Sequence, residues 1–354
     1  MMTLVSRIAR PEILALEHYE HASWDSGLER LHANENPWRS DADRSATGLN
    51  RYPEPQPRAV EARLAALYGV SVGQLLAGRG SDEAIDLLTR AFLVPGRDAA
   101  LICPPTFGMY AVATRIQGAR LVEVPLNAAA GYALDEAAVL AAVTPNVKLV
   151  FLCTPNNPTG NSAPVATIER LATDLADRAL VVVDEAYVEF GDAPSLAPAV
   201  VTHPNLVILR TLSKAYSLAG ARCGAVIANA GIIELLDRIR PPYSIPTATT
   251  EAVIGALTPT ALASAQTRIA ELKAERRRLE VALATLPLVR RVRPSEANFL
   301  LVECEDATEL MARARRAGFL LRDLSRGVPT PCAVRITVGT PEQNDQLLAG
   351  LAAE

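Results

Sequence analysis

The sequence predicts an α/β fold, with a large domain on a mostly parallel sheet followed by a smaller α+β domain. Three observations predict it. Short apolar runs recur through the middle of the chain, as the strands of a sheet buried on both faces should. Helical stretches fall between them, the alternation that winds a parallel sheet. Around Pro241, Pro242 and Pro246 the pattern changes to one long charged helix, then strand, helix and strand. A chain of 354 residues is also too long for one ordinary core, which favours two domains.

Residues 1–45 read as an irregular arm, interrupted by Pro11, Trp24, Pro37 and Trp38. Residues 46–245 form the predicted large domain. RAVEARLAALYG, after Pro57, carries apolar residues at helical spacing and stops at Gly69. GRGSDEAIDLLTRAFL reads as a glycine turn opening a second amphipathic helix. The strand-like runs are AALICPP, RLVEVPL, NVKLVFLC, ALVVVDEA, NLVILRTL and GAVIAN, with ATIERLATDLADR a helix among them. Residues 246–354 form the predicted small domain. It holds the helix ALASAQTRIAELKAERRRLEVALATL, the strand ANFLLVEC, the helix DATELMARARRAG and the strands FLLRDL and AVRITVG.

Composition removes several function classes. A net charge of −4 gives no electrostatic case for nucleic acid or an anionic membrane. No apolar run approaches the ~18–20 residues of a spanning helix, and MMTLVSRIARPEIL lacks a signal-peptide core. The five scattered cysteines (103, 153, 223, 304, 332) include no CxxC pair, and the four histidines make no paired-ligand pattern. A cytosolic enzyme without a metal is the expectation.

Of 35 basic residues only three are lysine: Lys148, Lys214 and Lys273. Lysine can shed its proton and attack a carbonyl, whereas guanidinium stays charged. Schiff-base chemistry would therefore draw on one of these three. Lys148, in TPNVKLVFL, reads as a strand-entry surface charge, and Lys273, in RIAELKAERRRLE, as part of a charged helix face. Lys214 differs in company, with Thr211 and Ser213 before it and a Gly/Ala stretch ending in Arg222 after it. Asp184 follows an apolar strand, where open parallel sheets place their ligand crevice, and Tyr187 comes three residues later. Asn157 lies in the turn TPNNPTG. The Gly78–Gly80 turn offers the amides of Ser81, Asp82 and Glu83 at a helix start, although simple capping explains its acids equally well. Together these groups answer the needs of an aldehyde cofactor held as a Schiff base. Such a cofactor wants an imine-forming lysine, a carboxylate on a pyridine nitrogen, hydrogen bonds to a ring oxygen and a phosphate cradle.

The ordered series NRYPEPQP, GRGSDEAIDLL, CPPTFGMY, TPNNPTG, VVVDEAY, TLSKAYSLAGARCG and AVRITVG resembles the fold-type-I pyridoxal-phosphate aminotransferases. Among them it is most similar to the histidinol-phosphate aminotransferases, from about residue 10 to the C-terminus. The resemblance implies pyridoxal 5′-phosphate as cofactor, with Lys214 as the Schiff-base lysine and proton shuttle and Asp184 on the pyridine nitrogen. It implies Asn157 and Tyr187 on the ring's phenolic oxygen, and Tyr110 stacked on the ring face in preference to Phe107. Ser81, Asp82, Thr211, Ser213 and Arg222 would hold the phosphate. Tyr52 would reach the phosphate of a neighbouring subunit's cofactor, making a homodimer with shared sites. Arg335 and Arg322 would grip the substrate's anionic group, with Tyr19 and Asn34 near the substrate mouth and His32 and Trp38 as packing residues. The implied reaction is transamination of L-histidinol phosphate with 2-oxoglutarate, giving imidazole-acetol phosphate and L-glutamate, in histidine biosynthesis. Two rivals share the scaffold: an aromatic amino-acid aminotransferase, for which Arg335 alone suffices, and a phospho-amino-acid decarboxylase. A cofactor-binding module of a transcription regulator is rejected, because the arm carries no helix-turn-helix pattern.

Overall fold

The computed structural model describes residues 3–19, 24, 27–325, 328 and 332–353. Among these, seven strands make the larger sheet: β1 (Leu75–Gly78), β2 (Ala99–Ile102), β3 (Arg120–Glu123), β4 (Val147–Cys153), β5 (Leu180–Asp184), β6 (Leu206–Thr211) and β7 (Gly224–Ala228). Their order is β1-β7-β6-β5-β4-β2-β3. Neighbours from β3 across to β6 run parallel. β7 is antiparallel to both β6 and β1. All six predicted runs form strands. β1 is an addition: LLAG is short and merges with the glycine turn that follows it.

Both faces of the central strands are buried, which explains their continuous apolar character. Val150, Val181, Val183 and Ile208 pack into one layer, and the alternating Leu149, Phe151, Val182 and Leu209 into the other. Helices supply the opposing surfaces. Arg58–Tyr68 buries Val60, Leu64 and Tyr68, and ends where Gly69 turns left-handed at φ 67°. Ser81–Phe92 buries Ile85, Leu88 and Phe92 against the second layer. The arm begins with two short helices, Leu4–Ile8 and Pro11–Leu14, and its Ile8 and Ala9 join that same layer.

The smaller sheet is antiparallel, in the order β10-β11-β9-β8, formed by β8 (Val289–Arg293), β9 (Phe299–Cys304), β10 (Arg322–Asp323) and β11 (Ala333–Thr337). Within FLLRDL the strand spans only Arg322 and Asp323, followed by a hydrogen bond from the Leu324 N–H to Ala333 O at 2.8 Å, so it is shorter than its apolar start predicts. β8 reads VRRVR and hides its strand character behind three arginines.

Helix Thr247–Ala256, which follows the proline cluster, buries Val253 in the core of the larger sheet. The crossing between the two sheets runs along helix Pro259–Leu283. Its Ala265 and Ile269 join the large-sheet core, and its Leu279 and Leu283 join the small-sheet core. Arg276, buried on that helix, donates to Phe190 O at 3.0 Å and to Ala297 O at 2.8 Å, tying the turn after β5 to the entry of β9. No helix among the described residues is long and apolar enough to cross a membrane.

Candidate active site

The C-terminal ends of β4, β5 and β6 converge on a cavity of about 730 Å³. This is the position an open parallel sheet offers a ligand. Lys214, Asp184, Asn157, Tyr187, Ser81, Asp82, Thr211, Ser213, Arg222, Arg322 and Arg335 all line it. Residues from six sequence segments are thereby brought to one place. The other two lysines lie elsewhere: Lys148 donates to Pro145 O, and Lys273 to Asp192 and to Gly191 O.

One end of the cavity is a polar cradle. Helix Ser81–Phe92 starts at Gly80, which has φ 89° and no capping side chain, so the first-turn amides have no side-chain cap. Glu83 turns back to accept from the Arg79 N–H at 2.7 Å, outside the cradle. Thr211 Oγ1 donates to Ser213 Oγ at 2.9 Å and accepts from the Ser213 N–H at 3.1 Å. The Arg222 guanidinium donates to Ser213 Oγ at 3.3 Å and to Asp82 Oδ2 at 3.2 Å. Two glycines make this closeness possible. A Cβ on Gly80 would lie 3.1 Å from Arg222 Nη2, and a Cβ on Gly224 would lie 2.5 Å from Arg210 O and 2.9 Å from Gly80 Cα. Helix amides, two hydroxyls and an arginine in one concavity fit a phosphate group.

Deeper in, Asp184 is nearly inaccessible, with 3% exposure. Its Oδ1 accepts from the Ala186 N–H at 3.1 Å and its Oδ2 from the Tyr110 hydroxyl at 2.8 Å. Burial raises its pKa to about 6, although the Tyr110 and Ala186 donors oppose the rise. At roughly 1.4 kcal/mol per pKa unit, burial leaves ionisation disfavoured by about 3 kcal/mol relative to water. A cationic ring N–H at this carboxylate would offset that. Lys214 is shifted the other way: burial first, then the nearby Arg335 and Arg222 charges, lower its pKa and favour the neutral amine. Its Nζ lies 5.8 Å from the centre of the Tyr187 ring. Asn157 Nδ2 donates to the Tyr187 hydroxyl at 3.3 Å, and Asn157 Oδ1 accepts from Arg335. Burial pushes the Tyr187 phenol up, so it stays protonated.

The opposite wall carries Arg335 and Arg322, directly opposed across β11 and β10. Arg335 sits with its guanidinium 5.3 Å from the centre of the Phe299 ring. Burial and the Arg322 charge both disfavour its protonated form. Among the described residues lining the cavity the only acids are Asp82 and Asp184, which belong to the other groups.

Tyr110, Trp38 and His32 depart from expectation, and Tyr19, Asn34 and Tyr52 lie outside this cavity. Tyr110 does not line the cavity: it is wholly buried beneath Asp184, its ring stacked 4.9 Å from Phe151. A ring with both faces committed to the protein interior cannot stack on a ligand. Phe107 lines the cavity in its place. Tyr19 is 67% exposed and lies outside the cavity lining. Asn34 and Tyr52 line a separate hollow of about 340 Å³ with Arg51 and Thr247. Tyr52 is half-exposed and stacks at 4.7 Å on Tyr243. Trp38, expected to pack, is 77% exposed, and His32 is exposed as well. Sequence reasoning missed Thr106, Met109, Val112, Cys153 and Leu324 as cavity-lining residues. Only Cys153 carried a signal, as the last residue of a strand run whose neighbour in register is Asp184.

The sequence profile of the family "Aminotransferase class I and II" matches residues 29–351. The histidinol-phosphate aminotransferase of Stenotrophomonas maltophilia is 49% identical over 353 residues, 99% of this chain and 97% of the relative. Among solved structures, the histidinol-phosphate aminotransferase of Sinorhizobium meliloti in complex with pyridoxal-5′-phosphate superposes with a TM-score of 0.74 at 27% identity. That match covers 86% of this chain and 82% of the other. The L-threonine-O-3-phosphate decarboxylase of Porphyromonas gingivalis superposes at 0.73 with 26% identity, covering 86% of this chain and 93% of that one. A shared sequence from end to end, on the same architecture, leaves one conclusion: the chain belongs to the class I and II aminotransferases, in their histidinol-phosphate aminotransferase branch.

Proposed function

We propose that this chain is a pyridoxal-phosphate-dependent transaminase that interconverts L-histidinol phosphate plus 2-oxoglutarate with imidazole-acetol phosphate plus L-glutamate. The observation that carries the substrate is the Arg322–Arg335 pair, opposed across two strands on one wall of the cavity. Like charges at facing positions repel, and no acid on that wall relieves them. A dianionic phosphate between two guanidinium forks would do so, with bidentate geometry. A lone carboxylate, as on an aromatic amino acid, needs only one of them.

The cofactor supplies an electrophilic carbonyl and a conjugated ring that accepts electrons. The chain supplies everything around it. Ser81, Asp82, Thr211, Ser213 and Arg222 would hold the phosphate, the first two through backbone amides. Asp184 would keep a proton on the ring nitrogen, and Asn157 with the protonated Tyr187 would hold the phenolic oxygen. Phe107, which lines the cavity, would cover a ring face. Lys214, poised toward its neutral form, would be both the amine that meets the cofactor's carbonyl and the base that takes the proton from the donor's α-carbon. Arg335 holds the anionic group of whichever substrate is bound, so the donor and 2-oxoglutarate react in turn at one site.

We place the enzyme in the cytoplasm as a homodimer. Tyr52 supports the dimer, because its half-exposed ring lies outside the cavity that holds Lys214 and is stacked on Tyr243. Tyr19 and Asn34 are retained as mouth residues of such an assembly, completed by the arm. The domain limits proposed for it are 1–45, 46–245 and 246–354. The phosphate-bearing decarboxylase reading uses the same cradle but needs a carboxylate on the α-carbon, which histidinol phosphate lacks. The test is a panel of amino donors with 2-oxoglutarate, ranked by kcat/KM. Histidinol phosphate is expected to lead tyrosine and phenylalanine. An aromatic donor in first place would replace the substrate, and CO₂ release from a phospho-amino acid would replace the reaction.

A further inference from the structure

We propose that Tyr110 is a positioning residue: its phenol fixes the plane of the Asp184 carboxylate and keeps it ionised, presetting it to accept the cofactor's ring N–H. This rests on the reading of the cavity as a pyridoxal-phosphate site.

The geometry is closed on every side. Tyr110 lies in the first turn of helix Met109–Ile116, wholly buried. Its ring is held nearly parallel to Phe151, at 4.9 Å and 5°, and meets the edge of Phe107 at 5.6 Å and 83°. Packing holds the hydroxyl against Asp184 Oδ2 at 2.8 Å, with the Cys153 thiol also within its reach. The Ala186 N–H holds the other oxygen at 3.1 Å. One donor on each oxygen pins the carboxylate plane. A carboxylate has about four acceptor positions, so each oxygen keeps one for a ligand.

Ionisation follows from the same contact. Around Asp184 stand the Tyr110 phenol, the Ala186 N–H, Cys153 from β4, Asp82 from helix Ser81–Phe92, Tyr187 from the turn after β5, and Lys214. Burial and Asp82 favour the neutral acid, whereas Tyr110, the Ala186 N–H and Lys214 favour the carboxylate. Burial holds the Tyr110 phenol and the Cys153 thiol well above their ordinary pKa values, so neither adds a charge and the phenol remains a donor. A protonated Asp184 would present an O–H to the ring nitrogen and could not keep a proton there. Phe107 and Tyr110 thus divide the work of one aromatic pair: the first faces the cavity and the second holds the acid beneath it.

The test is Tyr110→Phe, which removes one oxygen and keeps the ring and its packing. Pyridoxal phosphate is titrated into the cofactor-free wild type and variant at several pH values. We expect roughly tenfold weaker binding near the Asp184 midpoint, as for loss of a charge-assisted hydrogen bond, with the difference shrinking as pH rises and Asp184 ionises unaided. An analogue with carbon in place of the ring nitrogen should bind both proteins alike. In an Asp184→Asn background, Tyr110→Phe should have no further effect on cofactor affinity, which also reads the coupling if the single variant folds poorly. Equal binding by wild type and variant at every pH overturns the inference. So does an equal loss for both cofactors, which would mark Tyr110 as packing only. If the wild type itself binds no pyridoxal phosphate, the site reading falls, and this inference with it.

Discussion

The two ends of the cavity are built from different materials. The inner end stands on the C-termini of β4, β5 and β6, and its groups hold one another: Thr211 to Ser213, Ser213 to Arg222, Asp184 to Tyr110. The outer end stands on β11 and on β10, a two-residue edge strand whose Arg322 is exposed. Tyr19 and Asn34 of the arm, and Tyr52 just after it, lie outside the cavity lining. The difference teaches where each property resides. Reaction chemistry needs fixed geometry and sits on buried strand ends, whereas substrate choice is left to side chains that an incoming anion can still rearrange.

Breaking the inner end should therefore abolish the reaction for every substrate. Lys214→Ala is expected to lose the visible absorbance of bound cofactor and to slow transamination by roughly 10²–10⁴-fold or more, whichever donor is used. Lys214→Arg should be as inactive, since it restores charge without a nucleophile. Normal turnover by either variant would remove the basis of the whole assignment. Arg335→Ala, at the junction of the two ends, should lower kcat/KM by about 10²-fold for glutamate and histidinol phosphate together, as loss of a bidentate charge-assisted pair.

A pH titration sharpens the contrast with a smaller effect. Burial raises the Asp184 pKa to about 6. Because its ionised form is the one that meets a ring N–H, cofactor affinity should fall as pH drops through that value and level off above it. Equilibrium binding across the acid range checks this; a flat profile would show that another group holds the nitrogen. The smallest effect is expected at Tyr52, outside the cavity. Tyr52→Phe should weaken cofactor binding by only about 3–10-fold, the worth of one hydrogen bond to a charged group. Sedimentation of the wild type should give a dimer. A monomer with full cofactor affinity would leave Tyr52 without a role.

The same contrast decides what was legible in the sequence. Strands buried on both faces announce themselves as apolar runs, so β2 to β7 could be read directly. β8 could not, because its outward residues are arginines, and FLLRDL gave β10 but not its length, because the strand is confined to Arg322 and Asp323. Lys214, Asp184, Asn157 and Arg222 were legible because a motif fixes both their type and their neighbours. The aromatic pair was misassigned for a local reason: Phe107 precedes helix Met109–Ile116 and Tyr110 lies in its first turn, so three residues separate a cavity-facing ring from a buried one. Nothing in CPPTFGMY says which is which. Trp38 and His32 fail differently, since the arm has no periodic pattern from which burial can be read.

The central claim is that Arg322 gives the site its preference for a phosphate-bearing donor while taking no part in the chemistry. The most direct measurement is the ratio of kcat/KM for histidinol phosphate to that for phenylalanine, in wild type and in Arg322→Ala. The account predicts that the ratio falls by roughly 10- to 100-fold, as one charge-assisted pair is lost, with the phenylalanine rate little changed. An unchanged ratio, with both rates reduced alike, would contradict it and leave Arg322 a structural residue.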